Sequence, residues 1–453
     1  MKKAFKLEEI DAAVNKFQPV TPDHDFYVNF DNVRGDFQEL EVMRILNVNP
    51  INGRYIFNYQ PNQFNKTLLF LAGMRGSGKT SELAKYAQRL NSPDCFFVVT
   101  CNIDEELDMD NIQYMDILIF QLEKLLKRAT EVDLSINDDI LDSMHKWFDK
   151  RVREINRHLK ADGSAEIEFG SDKAFSVGNL LGQLLGITTK IKASLSGSFQ
   201  RAETIRRDFQ NRFNDFSTKF NTFVEQVNEQ LRKEKKGKEI LFIVDGLEKT
   251  MSADTRRKII MEESNRIRQI KTNTLFTLPI ELMKEEQRIR QFAEIISFPF
   301  IKIKERNGAD CTEAINLFEL FTFNRIDSNL FDSKDTVDIA IRYSGGSPRQ
   351  LLRILEQAAW STSVEQGIIT HTNMMRAIEK LGNSIARYLG TDDFELLKKL
   401  KNTLDAGNPI GFDDAIQGLL EKEIIFEYND GTYKRVNPLV ETSKLYKYHV
   451  ASA

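Results

Sequence analysis

A chain of 453 residues, 41% of them hydrophobic, can bury a large core and is long enough for roughly two to four structural units. The formal net charge of −4 leaves no global field to draw the protein to nucleic acid or anionic lipid, so any such binding needs a local patch. The three cysteines, Cys95, Cys101 and Cys311, are odd in number and lack metal-ligand spacing, which argues against a disulfide framework or a zinc module and fits a reducing compartment.

At the N-terminus, Lys2 and Lys3 are followed by charged, interrupted sequence rather than an apolar run, so no signal peptide is expected and a cytoplasmic location is. The first sharp signal is the apolar run Leu68 to Ala72, suited to a buried strand, followed by Gly73-Met74-Arg75-Gly76-Ser77-Gly78-Lys79-Thr80-Ser81. Strand, Gly-x-x-x-x-Gly-Lys-Thr loop and helix together form a phosphate-binding pattern. Glycines at 73, 76 and 78 let the backbone wrap an anion, so that successive amides and a helix N-terminus point at it. Lys79 is expected on the β and γ phosphates and the Thr80 hydroxyl on magnesium, with Arg75, Ser77 and Ser81 completing the nucleotide-binding loop. Glu82, Leu83, Tyr86, Ala87 and Leu90 read as the amphipathic helix that follows.

Phe96 to Thr100 reads as a second strand. The material before the next strand is too long for an ordinary crossover. Ile140, Leu141, Met144, Trp147, Phe148, Val152 and Ile155 keep helical spacing, and Ile205, Phe209, Phe213, Phe216, Phe220, Phe223, Val227 and Leu231 keep it more strictly. Residues 131 to 235 therefore form a helical insertion whose apolar seam faces either an internal hairpin or a protein partner or second copy. The stretch Ala174 to Thr189 is too short and too interrupted to span a bilayer and reads as a packed or partner-facing helix. The linker Leu159 to Asp172 and the run Arg232 to Lys238 read as polar loops.

Ile240 to Val244 is a five-residue apolar run ending in Asp245-Gly246-Leu247-Glu248, which describes a buried parallel strand delivering Asp245 beside a magnesium ion and phosphates. Glu248 is the candidate for polarising water. Asn273 to Pro279 and Phe298 to Lys304 supply two further strands, completing a five-stranded parallel sheet of α/β class. Ligands of such sheets bind at the carboxyl ends of the strands, where Gly73, Asp245 and Thr277 emerge; Thr277 is a candidate γ-phosphate sensor or a buried threonine. Helices then fill residues 305 to 385, interrupted by Gly345-Gly346-Ser347-Pro348-Arg349, which places Arg349 in the first turn of a helix, where a cation can reach phosphates. After it, Phe394 to Leu400 and Phe412 to Leu420 read as helices, and Ile424 to Tyr428 and Thr432 to Val436 as a hairpin around Asn429-Asp430-Gly431.

These features resemble the AAA+-related ATPases of the STAND and origin-recognition type. The resemblance rests on the Walker A loop at Gly73 to Thr80, the Walker B strand at Asp245 to Glu248, a sensor 1-like Thr277 and a sensor 2-like Gly-x-Pro-Arg at Gly346 to Arg349. It implies ATP with magnesium, a helical lid at 305 to 385 and a winged-helix-like module at 386 to 453. The segment Val33 to Leu40, within an N-terminal region of 60 residues, resembles the family's box near the adenine and makes Val33 a nucleotide contact, although the usual Gly-Arg order is inverted. The expected activity is slow ATP hydrolysis by a switch that couples nucleotide state to domain rearrangement. A non-hydrolysing sensor or adaptor, of the kind found in phage defence, and a DNA loader or remodeller are the other classes; DNA binding has thin support in Lys434 and Arg435. Arg288 and Arg290 are candidates for an arginine supplied to a neighbour's site. Catalytic work falls to Lys79, Asp245, Glu248 and Arg349.

Overall fold

The computed structural model describes residues 1–16, 18–35, 37–56, 66–161, 180–250, 252–363, 365–406, 408–429 and 431–451. Five parallel strands form its sheet: β1 (Leu68–Gly73), β2 (Phe96–Asn102), β3 (Glu239–Asp245), β4 (Asn273–Pro279) and β5 (Glu294–Ser297), in the order β2-β3-β4-β1-β5. β1 and β3 are buried along their whole length, as strands covered on both faces must be. Alternate side chains feed two cores. Leu69, Leu71, Leu241, Ile243 and Leu275 meet Leu83, Tyr86 and Leu90 of helix α1 (Lys79–Leu90). Leu68, Phe70, Phe242, Val244 and Phe276 face the helices inserted between β2 and β3.

One strand lies earlier than its sequence suggests. β5 pairs with β1 through Glu294 to Ser297, and the chain leaves the ladder where Phe298 donates to the Ala72 carbonyl at 2.6 Å. Pro299 has no N–H with which to continue pairing. Phe300, Ile301 and Ile303 instead enter the cores of the following helices.

The inserted helices are α2 (Tyr114–Glu131), α3 (Asp138–Ala161), α4 (Leu180–Leu195), α5 (Phe199–Asn211) and α6 (Phe213–Lys233). The seam from Ile205 to Leu231 is turned inward: every one of its eight apolar residues is at most 2% exposed. Phe209 and Phe216 pack against Phe148 at 5.9 and 6.4 Å, tilted and edge-on, and Phe220 meets Phe242 of β3 at 6.5 Å. The expectation of a partner or self-assembly surface along this seam is thus corrected. The helices close over the sheet's own apolar face, and burying a phenylalanine there is worth about 1.5–3 kcal/mol. A buried pair, Arg206 Nη2 to Asp116 Oδ2 at 2.7 Å, fixes α5 to α2. Of the apolar stretch from Ala174 and the linker from Leu159, residues 162 to 179 lie outside the described residues; Leu181, Leu184 and Ile187 of α4 join the same core.

Beyond the sheet, α7 (Thr312–Arg325), α8 (Lys334–Ser344), α9 (Pro348–Trp360) and α10 (His371–Ala386) form a bundle. Its core includes the N-terminal segment: Ala4, Ile10, Val14, Val28 and Phe30 pack with Phe318, Phe321 and Leu355, and Ala4 bridges to Ile326. Helices α11 (Thr391–Asp405) and α12 (Asp414–Glu421) and the antiparallel pair β6 (Ile425–Tyr428) and β7 (Tyr433–Val436) complete the chain. Their core takes in Met74 of the glycine-rich loop together with Ile280 and Phe300. Gln350 of α9 and Asn437 exchange amide hydrogen bonds at 2.9 and 3.1 Å, joining bundle to hairpin. No helix among the described residues is long and apolar enough to cross a membrane.

Candidate nucleotide site

The C-terminal ends of β1 and β3 lie on either side of β4, and a cleft of about 420 Å³ opens above them. One end of it is polar. Gly76 and Gly78 take φ of +81° and +99°, a region that side-chain-bearing residues rarely adopt, and Gly78 caps the N-terminus of α1. The turn leaves the first amides of α1 without intrahelical partners, as an anion-binding loop requires. Lys79 is 4% exposed and donates to the carbonyls of Gly73 and Met74 at 2.8 and 3.0 Å, with Glu248 Oε1 3.9 Å away. Burial lowers its pKa against the opposing pull of Glu248 and Asp245.

Asp245 ends β3, and the nearby Thr80 hydroxyl favours its charged form. Its Oδ1 is buried with no hydrogen-bond partner among the described residues. Burial, and then the charge of Glu248, push its pKa up to about 6. Glu248 is equally buried; the cost of burial is outweighed by Lys79 and by the Thr277 hydroxyl, which hold its pKa low. Thr277, 0% exposed on β4, also accepts the Gly246 N–H at 3.2 Å. It is spent on positioning the turn that carries Glu248 and does not line the cleft.

A buried oxygen without a partner beside a hydroxyl is a hard-oxygen pair suited to magnesium, so Asp245 and Thr80 fit the metal that the loop implies. Asn102, which ends β2, and Asp104 and Glu105 just after it also line the cleft. Arg75 reaches across to the Glu248 carbonyl at 2.7 Å, and Ser77 is wholly buried under the loop. The Ser81 hydroxyl accepts the Val20 N–H at 3.2 Å, which ties α1 to the N-terminal segment.

Arg349, half-buried at the start of α9, packs on Gly76: a Cβ added there would stand 2.9 Å from the Arg349 Cβ. The Gly345-Gly346 turn brings it there, and the Ser347 hydroxyl caps α9 by accepting from Gln350 at 3.2 Å. Lys79, Thr80, Asp245, Glu248 and Arg349 therefore share one cleft. Val33 does not join them; it is buried in the bundle core. Its neighbour Arg34 does, with Nη1 donating to the Pro299 carbonyl at 2.9 Å and its guanidinium 3.9 Å from the Phe298 ring centre. Burial lowers the Arg34 pKa to about 10, with Glu82 and Asp31 opposing. Arg288 and Arg290 pair with Glu285 and Glu286 at 3.0 and 2.7 Å, away from the cleft, and Glu262 is exposed beside Arg257.

Part of the cleft's lining is apolar, from Val20, Phe26, Val28, Phe30, Phe321 and Leu352. No short motif announces it, because it is assembled from the N-terminal segment and from α7 and α9, about three hundred residues further along.

Strand, glycine-rich loop and helix, with an acid delivered from a strand two places away, define a P-loop α/β fold. No protein-family model matches the sequence, and no curated protein matches it. Among solved structures, a Walker-type ATPase of Pyrococcus abyssi matches with a TM-score of 0.39 at 12% identity, covering 92% of this chain and 99% of that one. Two variant forms of Thermotoga maritima RuvB match with TM-scores of 0.24 and 0.23 at 12% and 13% identity, each covering 45% of this chain and 68% of its own. At such scores the chain's own residues, rather than its neighbours, carry the functional reading.

Proposed function

We propose that the protein binds ATP with magnesium in this cleft, hydrolyses it slowly, and uses the nucleotide to change how the helical bundle and the C-terminal hairpin module sit on the sheet. The observation that carries the reading is the meeting of two distant strand ends in one cleft, where Asp245, beside Thr80, keeps a buried carboxylate oxygen without a partner among the described residues. Gly76 to Thr80 would cradle the phosphates through backbone amides, Lys79 would leave its loop carbonyls for phosphate oxygens, and Arg349 would meet the terminal phosphate from the bundle side. Thr80 and Asp245 would hold magnesium, which when bound supplies charge neutralisation on the phosphates. Glu248, whose pKa Lys79 and Thr277 hold low, would orient a water.

The switch reading is supported by contacts that tie loop and modules together. Met74 of the loop lies in the hairpin module's core, and Arg349 follows directly on the turn whose Gly345 carbonyl accepts the Tyr428 hydroxyl at 2.7 Å. Displacing Arg349 would therefore pull on both modules. ATP turnover by Lys79→Ala and Asp245→Ala proteins tests the proposal. Each should lose at least about a hundredfold in rate, since each removes charge stabilisation of the phosphates; unchanged turnover in both would remove the ATPase reading.

A further inference from the structure

The apolar part of the cleft contains a cation that no carboxylate among the described residues neutralises. Arg325, the last residue of α7, is 3% exposed and lines the cleft. Its Nη1 donates to the carbonyls of Phe26 and Phe321, both at 2.9 Å, and its guanidinium lies 3.6 Å from the centre of the Phe321 ring. Its Nε and Nη2 make no hydrogen bond among the described residues, and burial alone, with no carboxylate opposing it, lowers its pKa to about 9.

The fold treats its other buried arginines differently. Arg206 is forked onto Asp116 by three hydrogen bonds of 2.7 to 3.1 Å, Arg151 pairs with Glu154 at 2.7 Å and Arg256 with Glu281, and Arg34, held by the Pro299 carbonyl, feels the charges of Glu82 and Asp31. A buried guanidinium without an acid is costly unless something else accepts its protons. It can only donate, so its missing partner is an acceptor. The phosphates already have Lys79, Arg75 and Arg349 at the opposite end of the cleft, which leaves the part of the ligand that lies among Phe26, Val28, Phe30 and Phe321.

We infer that Arg325 reads the base of the bound nucleotide, donating from its free guanidinium edge to an acceptor atom of the ring while Phe321 holds it flat from the other side. The inference rests on the nucleotide reading above and adds a residue that fixes the base rather than the phosphates.

The test compares ATP with inorganic tripolyphosphate, both with magnesium, by equilibrium binding to wild-type, Arg325→Met and Arg325→Lys proteins of verified thermal midpoint. Methionine keeps the apolar contact with Phe321 and removes the donors. Arg325→Met should weaken ATP about tenfold and leave tripolyphosphate within about twofold, with Arg325→Lys between, the size expected when one charged hydrogen-bond donor is lost. Unchanged ATP affinity, or an equal loss for both ligands, would overturn the inference, the second by showing that Arg325 only braces the cleft through Phe26. Wild-type protein that binds neither ligand would overturn the nucleotide reading itself, and this inference with it.

Discussion

The two ends of the cleft are built by opposite strategies. At the end assigned to the phosphates the groups sit at the tips of sheet strands in three short segments, with Lys79 near Glu248, Asp245 near Thr80, and Thr277 accepting the Gly246 N–H. At the base end the walls come from an N-terminal segment and two helices of a bundle that share one core, and no acid among the described residues answers the charge there, Arg325. An end fixed by sheet strands, with one carboxylate oxygen left open for a metal, can hold phosphates with little reorganisation. An end made of movable pieces with one unmet cation is where ligand identity can be read and where binding can alter the arrangement of the modules.

That contrast can be broken most forcefully at Gly346. Its φ is +80°, and a Cβ there would come within 1.7 Å of the Ile301 carbonyl oxygen, a backbone atom with no room to retreat. Gly346→Ala should cost about 2–4 kcal/mol of stability, read by denaturant unfolding. It should also weaken tripolyphosphate as much as ATP, because the turn positions Arg349 at the phosphate end. A loss confined to ATP would show that the turn serves the base end instead.

A smaller effect is expected at Thr277. Thr277→Val leaves the buried Gly246 N–H without its acceptor and frees Glu248, at about 1–3 kcal/mol. Steady-state kinetics should show kcat falling about tenfold while KM moves less than about twofold, since the threonine positions a catalytic carboxylate and touches no ligand. A change confined to KM would instead place Thr277 in binding.

The mildest probe is pH. Asp245 binds its proton more tightly in the fold than in the unfolded chain, with a pKa of about 6 against 3.8. Its contribution to folding is therefore complete below the lower value and lost as pH rises through the higher one. Metal binding requires the carboxylate, so magnesium-dependent affinity should be flat above about pH 7 and fall by up to about tenfold per unit below 6. Tripolyphosphate and ATP should follow the same profile, because the titrating pair lies at the end they share. Divergent profiles would move the titrating group to the base end.

Sequence and structure agree where chemistry is local. Gly73 to Thr80 and Ile240 to Asp245 each carry their own pattern, so loop, strand and partner acid could be placed without coordinates. Where the sequence misled, the information was non-local. Steps of three and four from Ile205 to Leu231 specify a seam but not what covers it, and the answer, the sheet's own second face, depends on topology. Phe298 to Lys304 looks like a strand by composition, yet Pro299 ends the ladder before it. Val33 stood out within a motif-like segment, although the side chain that reaches the cleft is the next one, Arg34. Arg325 ends a phenylalanine-rich helix with no signature at all, and only the docking of Phe26 against it makes the position legible.

The central claim is that a single nucleotide spans both ends. A crystal structure with magnesium and a non-hydrolysable ATP analogue tests it most directly. The expected result is a triphosphate along Gly76 to Thr80, metal between Thr80 and Asp245, and the base against Phe26 and Phe321 within hydrogen-bonding distance of Arg325. A triphosphate bound elsewhere, or a base directed into solvent with Arg325 still unmet, would contradict it.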